Sequence, residues 1–85
     1  MNRRDDPKDT LPETVAALQM ELDREGVSSH KLLHGAMTLA AMGYPAAARE
    51  YAARALIAAR REGDEESREM AAAMLLTARM ERGVA

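Results

Sequence analysis

The clearest structural signal in this chain is the stretch GYPAAAREYAARALIAARREG, residues 43–63. The stretch contains Pro45 near its start. Proline is favoured in the first turn of a helix, because a backbone N–H there would have no partner within the helix. Alanine, the residue with the highest helix propensity, dominates the rest of the stretch. The stretch ends at Gly63, and glycine is common just after the last residue of a helix. We therefore predict a helix from Pro45 to Gly63.

A first helix is predicted upstream, between residues 10 and 26. Thr10 and Glu13 match a capping box, in which each side chain bonds the backbone N–H of the other residue. Apolar residues then occur at intervals of 4, 3 and 4, the spacing of one helix face: Leu11, Val15, Leu18 and Leu22. Gly26 is predicted to end this helix. The charged residues 1–9 are predicted to be a disordered N-terminal tail, followed by one helical domain over residues 10–85.

Two more helices complete the predicted fold. One begins at Ser28 or Ser29 and ends before Gly43, and the other begins at an Asp64 cap and runs to about Arg82. The connections are short, and short connections make successive helices antiparallel neighbours. The expected fold class is all-α: four antiparallel helices, arranged as a tetratricopeptide-like hairpin or as a small helical bundle.

Composition predicts a thin hydrophobic core. Alanine accounts for 18 of the 85 residues, whereas Leu, Ile and Val together account for 13, and Phe, Trp and Cys are absent. A small domain buries only ~60 % of the surface that its unfolded chain exposes, so folds of this size usually need extra support. Without cysteine, disulfides and thiolate zinc sites are excluded. Self-association or a partner protein is the expected source of added stability.

Charge and hydropathy weigh against two classes of partner. The 12 basic and 14 acidic residues are interspersed, whereas nucleic-acid-binding domains carry a strongly basic patch. No apolar run approaches the ~20 residues needed to span a bilayer. Arg3 and Arg4 are not followed by an apolar segment, which argues against a signal peptide. We expect a cytoplasmic protein with neither a nucleic-acid nor a membrane partner.

Residues 29–62 resemble one tetratricopeptide repeat. The segment MGYPAAAREYAARAL, residues 42–56, matches the second half of that repeat, with the turn glycine, small, aromatic and Ala-Leu positions at Gly43, Ala48, Tyr51, Ala55 and Leu56. Leu32, Ala36 and Leu39 stand where the first helix of the family carries large, small and large packing residues. The chain departs from the family at Arg60, where a proline is usual. A generic helical bundle remains the alternative.

The resemblance implies a binding surface, because the first helix of each repeat lines a groove for peptides or partner helices. The matching positions in the second helix are His30, Leu33, Met37 and Ala40. The fourth helix stands where the first helix of another repeat would be, and its matching positions are Ser67, Ala71 and Met74. This set lacks the basic and amide cluster that clamps terminal carboxylates in some members, and its methionines suit an apolar helix or extended segment instead. Leu33 and Met37 point away from the seam with the third helix. We expect Leu33→Asp or Met37→Glu to abolish association at little cost to the isolated fold.

Catalytic and metal chemistry find less support in the sequence. His30 and His34 are spaced i,i+4 and could offer two ligands to a metal, but Lys31 stands after His30 where zinc proteases place their catalytic glutamate. The seven methionines fall mostly at packing positions rather than in a copper-binding cluster. Ser28 and Ser29 beside His30 indicate helix capping rather than a nucleophile. We expect no catalytic residue, no cofactor and no metal.

These observations favour a non-enzymatic protein–protein interaction module, either a small adaptor or a chaperone-like binder of an apolar helix or peptide. Two alternatives stay open at this point. One is a structural protein that forms homo-oligomers through its exposed apolar strip. The other, less favoured, is a metal-responsive domain that uses His30 and His34.

Overall fold

The computed structural model of the chain describes the backbone of residues 12–84 and the side chains of residues 12–78. It contains four helices: α1 (Glu13–Leu22), α2 (Ser29–Ala41), α3 (Pro45–Glu62) and α4 (Glu65–Val84). No β-strand occurs within residues 12–84, and the predicted all-α fold, a small helical bundle, is confirmed. The predicted tail, residues 1–9, and Thr10 of the predicted capping box lie outside the described residues.

Two of the helix ends are explained directly by glycine. Gly43 comes after α2 with φ of 94°, and Gly63 comes after α3 with φ of 74°. Backbones with positive φ are strained for residues that carry a Cβ, so glycine is favoured there. The next helix is capped as predicted, because a carboxylate oxygen of Asp64 accepts a hydrogen bond of 3.2 Å from the backbone N–H of Ser67.

Helix α1 is shorter than predicted, because it ends at Leu22 and not at Gly26. The carboxylate of the next residue, Asp23, accepts hydrogen bonds from the hydroxyl of Tyr51 at 2.7 Å and from the guanidinium of Arg54 at 2.6 Å. These bonds hold the end of α1 against α3. The chain then turns toward α2 through Gly26, which has φ of 77°.

The helices pack mainly on their neighbours in the chain. The most extensive packing is between α2 and α3, followed by α3 and α4, whereas α2 makes much smaller contacts with α1 and with α4. Seven of the thirteen buried apolar residues of the described part are alanines. The larger buried residues are Val15, Leu22, Leu32, Leu33, Leu39 and Tyr51. Few large side chains therefore fill this core, as the composition predicted.

A glycine inside α2 lets α1 approach closely. Gly35 is buried, and a Cβ built on it would overlap the side chain of Leu22. Leu22 is 2 % exposed and belongs to the core. The absence of a side chain at position 35 is therefore what makes room for the last residue of α1.

This contact predicts that Gly35→Ala destabilises the parent chain but stabilises a variant with a smaller residue at position 22. Alanine is favoured over glycine in a helix by up to about 1 kcal/mol, but overpacking typically costs about 1–3 kcal/mol. We expect Gly35→Ala to lower the free energy of unfolding by about 1 kcal/mol in the parent chain. In a Leu22→Ala background the same change should raise it, and urea unfolding of the four proteins measures both effects. A loss of equal size in both backgrounds would contradict the contact.

The contact of Asp23 with α3 also changes proton affinities. Burial and the hydrogen bond to the Asp23 carboxylate raise the pKa of Tyr51 from 10.0 to about 12. Hydrogen bonds from Tyr51 and Arg54 lower the pKa of Asp23. The guanidinium carbon of Arg54 lies 4.8 Å from the centre of the Tyr51 ring, so it also contributes a cation–π contact.

The raised pKa predicts a specific loss of stability in alkali. A group whose folded pKa exceeds its unfolded value stabilises the fold fully below the unfolded pKa, and this contribution declines as pH rises through the folded pKa. For Tyr51 the window runs from pH 10 to about 12. In a Tyr44→Phe variant, where Tyr51 is the only tyrosine, absorbance at the tyrosinate band should titrate with a midpoint near pH 12. Adding Asp23→Asn should lower this midpoint part of the way, because burial remains. If the tyrosinate midpoint were the same with and without Asp23→Asn, the hydrogen bond between Tyr51 and Asp23 would be contradicted.

Candidate functional site

An apolar groove of about 460 Å³ opens between α2 and α4, with the start of α3 at its base. Its lining comes from α2 at Leu33, Met37 and Ala40, from α3 at Pro45, Ala48 and Arg49, and from α4 at Met70, Ala73, Met74, Thr77 and Ala78. The α2 positions are spaced by four and three residues, which places them on one helix face. Side chains of three helices thus form one continuous surface.

The groove has a buried floor and an exposed rim. Leu33 and Ala48 form the floor and are 2 % and 3 % exposed. Met37 and Met70 form the rim on opposite sides and are 44 % and 43 % exposed, while Met74 is half-buried. Unbranched thioether side chains adapt their shape to what they contact. The rim can therefore adjust to an apolar side chain that enters from solvent.

Four of the seven residues predicted for a partner-binding groove lie together in this lining: Leu33, Met37, Ala40 and Met74. Ser67 and Ala71 do not line it; they are 3 % and 0 % exposed and lie on a part of the α4 surface that is buried outside the groove. His30 is exposed and outside the lining as well. Leu33 is more deeply buried than the sequence led us to expect, because it belongs to the core as well as to the groove.

Sequence reasoning did not assign the remaining lining residues to the groove. Met70, Ala73 and Thr77 do form a visible helical stripe, with spacings of three and four residues. That stripe is the signal that could have placed them here instead of Ser67 and Ala71. Nothing in the local sequence around Pro45, Ala48 and Arg49 indicates that the start of α3 reaches the groove, since this depends on how the helices pack.

Polar contacts join the start of α2 to the last residue of α3 and to the residue that caps α4. Ser29 is fully buried, and its backbone N–H donates to Glu62 at 3.1 Å. Its hydroxyl lies 2.8 Å from Glu62 Oε1 and 3.0 Å from Asp64 Oδ2, and its one proton can serve one carboxylate at a time. Hydrogen bonds from Ser67 and Ser29 lower the pKa of Asp64. The first residue of α2 is therefore held against the turn between α3 and α4.

The end of the groove near Thr77 is electropositive. Arg49 is the only charged side chain in the lining formed by residues 12–78, and it makes no ion pair with the other side chains of that range. The first turn of α3, beside Arg49, contains no acidic residue and has no side-chain cap. The positive end of the α3 dipole is thus uncompensated there.

The two histidines lie side by side, with 4.5 Å between ring centroids. Within residues 12–78 no group of three or more His, Cys, Asp or Glu residues is arranged to hold a metal ion. Over the described part of the chain, none of the helices combines the length and the apolar character needed to cross a bilayer.

Comparisons of this chain with family models, with curated proteins and with solved structures find no match. The tetratricopeptide-like arrangement of residues 29–62 therefore stays a prediction. Function is inferred from the groove and its surroundings alone.

Proposed function

We propose that the chain is a non-enzymatic protein–protein interaction module whose groove receives the apolar face of a helix. The observation that carries this proposal is the exposure of Met37 and Met70 around the buried Leu33, in an apolar groove of about 460 Å³. Large apolar side chains gathered around a concave surface are a common feature of sites that bind helices.

The length of the groove suits about two turns of helix. Its α2 lining spans residues 33–40 and its α4 lining spans residues 70–78. At 1.5 Å per residue these spans are about 10 and 12 Å long. A bound helix would present apolar anchors at positions i, i+4 and i+7 over that distance. Three such anchors fit the extent of the lining.

Energetics place such a complex in a moderate range of affinity. Burying one large apolar side chain contributes about 1.5–3 kcal/mol. Part of the gain from three anchors is offset by the loss of translational and rotational freedom on association. We therefore expect an affinity no tighter than the micromolar range, which suits an adaptor or a chaperone-like binder that must also release its partner.

The test uses a designed amphipathic peptide with leucines at positions i, i+4 and i+7 as the probe. The methionine methyl groups report its position by NMR: signals of Met37, Met70 and Met74 should shift on titration. Met20, which is 73 % exposed on α1, lies outside the groove and should not shift. Equal shifts at Met20 would mean that the peptide binds without preference for the groove.

A pair of variants makes this test quantitative. Met37→Glu places a charge on the rim, and losing one anchor of about 1.5–3 kcal/mol should weaken peptide binding by about tenfold or more. Met42→Glu is the matched control, because Met42 is 43 % exposed, close to the 44 % of Met37, yet does not line the groove. Calorimetric titration should find nearly parental affinity for it. Equal weakening by both variants would overturn the proposed site.

A further inference from the structure

We propose that the helix received by the groove is α4 of a second copy of this chain, paired antiparallel with α4 about a two-fold axis. This inference rests on the proposed function, since it requires the groove to be a docking surface. It adds the identity of the occupant, the direction in which it lies and the residues that it contacts.

Helix α4 carries a seam that matches itself when reversed. Glu66, Met70, Ala73 and Thr77 are spaced by four, three and four residues, and the last three line the groove. We place the two-fold axis between the two α4 helices, midway along the seam at the level of residues 71 and 72. This axis sets Met70 of each copy opposite Ala73 of the other. It also places Glu66 opposite Thr77. The flexible, 43 % exposed Met70 thus meets the small Ala73 of the other copy, as a knob meets a hole. Each copy contributes this one large apolar anchor, so the dimer has two such contacts in place of the three leucines of the designed peptide.

Charge complementarity fixes the direction of the pairing. The Thr77 end of the groove is electropositive, through Arg49 and the start of α3. The opposite end of the seam is acidic, because Glu66 is exposed and forms no ion pair with the other side chains of residues 12–78. Antiparallel pairing brings Glu66 of one copy beside Arg49 of the other. Parallel pairing would set acidic ends together and basic ends together.

Two-fold symmetry makes each of these contacts twice. In an isologous interface the same surface patch serves both copies, so one dimer gains two Met70–Ala73 contacts and two Glu66–Arg49 pairs. The chain itself supplies both residues of each contact. The thin alanine-rich core also leaves this small domain in need of added buried surface.

The test is a charge reversal with rescue, read by analytical ultracentrifugation of the purified chain across the micromolar range. The parent should form a dimer. Arg49→Glu and Glu66→Arg should each weaken dimerisation by about tenfold, because two attractive pairs per dimer become repulsive. The combined variant, with both charges exchanged, should recover the parental dimer. Melting curves establish that each variant is folded.

Two matched controls separate this pairing from general effects of charge and exposure. Glu25→Arg makes the same charge change on an exposed residue between α1 and α2, and Ile57→Glu alters a 58 % exposed apolar residue of α3; neither residue lines the groove. Both should leave the dimer unchanged. A dimer lost with either control, or not rescued by the exchanged charges, would overturn the pairing. A parent that stays monomeric would also overturn it, while the proposed function would still be judged by peptide binding.

Discussion

Replacing Leu39 by alanine is expected to lower the free energy of unfolding by about 2–5 kcal/mol. Leu39 is 0 % exposed on α2, within the packing between α2 and α3. Alanines such as Ala48 and Ala52 form much of this core, and they have no flexible side-chain atoms that could move into the space left by the leucine. Most of the cavity should therefore persist, which places the loss toward the upper part of that range.

The control for this variant is Leu76→Ala, which removes the same atoms from a side chain that is 58 % exposed. Surface changes of this kind usually alter stability by no more than about 0.5 kcal/mol. Chemical denaturation of the parent and both variants measures the difference. If Leu39→Ala unfolded at the same denaturant concentration as Leu76→Ala, the core would not lie where the structure places it.

The second large effect is expected from Leu33→Asp, which should unfold the chain or leave it only marginally stable. Leu33 is 2 % exposed, so its replacement removes a core leucine at a cost of about 2–5 kcal/mol. It also buries a carboxylate or forces it to take up a proton, and either outcome costs further free energy. The sum is comparable with the ~5–15 kcal/mol that stabilises a typical small domain.

The matched comparison is Met37→Glu, one turn later on the same helix. Met37 is 44 % exposed, so its new carboxylate stays hydrated and the melting temperature should change little. This contrast corrects the expectation drawn from sequence, in which both changes spare the isolated fold. Parental melting of Leu33→Asp would mean that the floor of the groove is open to solvent.

The sequence predicted those parts of the fold that depend on local backbone chemistry. Gly43 and Gly63 end α2 and α3 because the backbone takes a positive φ within two residues of the end of each helix. Asp64 caps α4 through its own carboxylate. The end of α1 could not be predicted in the same way, because Asp23 is held by Tyr51 and Arg54, which lie far along the chain.

The burial of individual side chains and the rotation of α4 about its axis could not be predicted from the sequence either. Leu33 and Met37 share one helix face, yet Leu33 lies in the floor of the groove and Met37 on its rim. The burial of each depends on how closely α3 and α4 approach that face. The predicted groove included Ser67 and Ala71, but the rotation of α4 buries them. Leu56, at the Ala-Leu position of the tetratricopeptide resemblance, is only half-buried. Such differences arise from tertiary packing, which a helical pattern does not specify.

The preference of each helix for its neighbour in the chain has a consequence for folding speed. Because α2 packs chiefly on α3 and α3 on α4, most contacts join residues that are close in sequence. Helical domains of such low contact order fold in microseconds to milliseconds, since little loop-closure entropy is lost before contacts form.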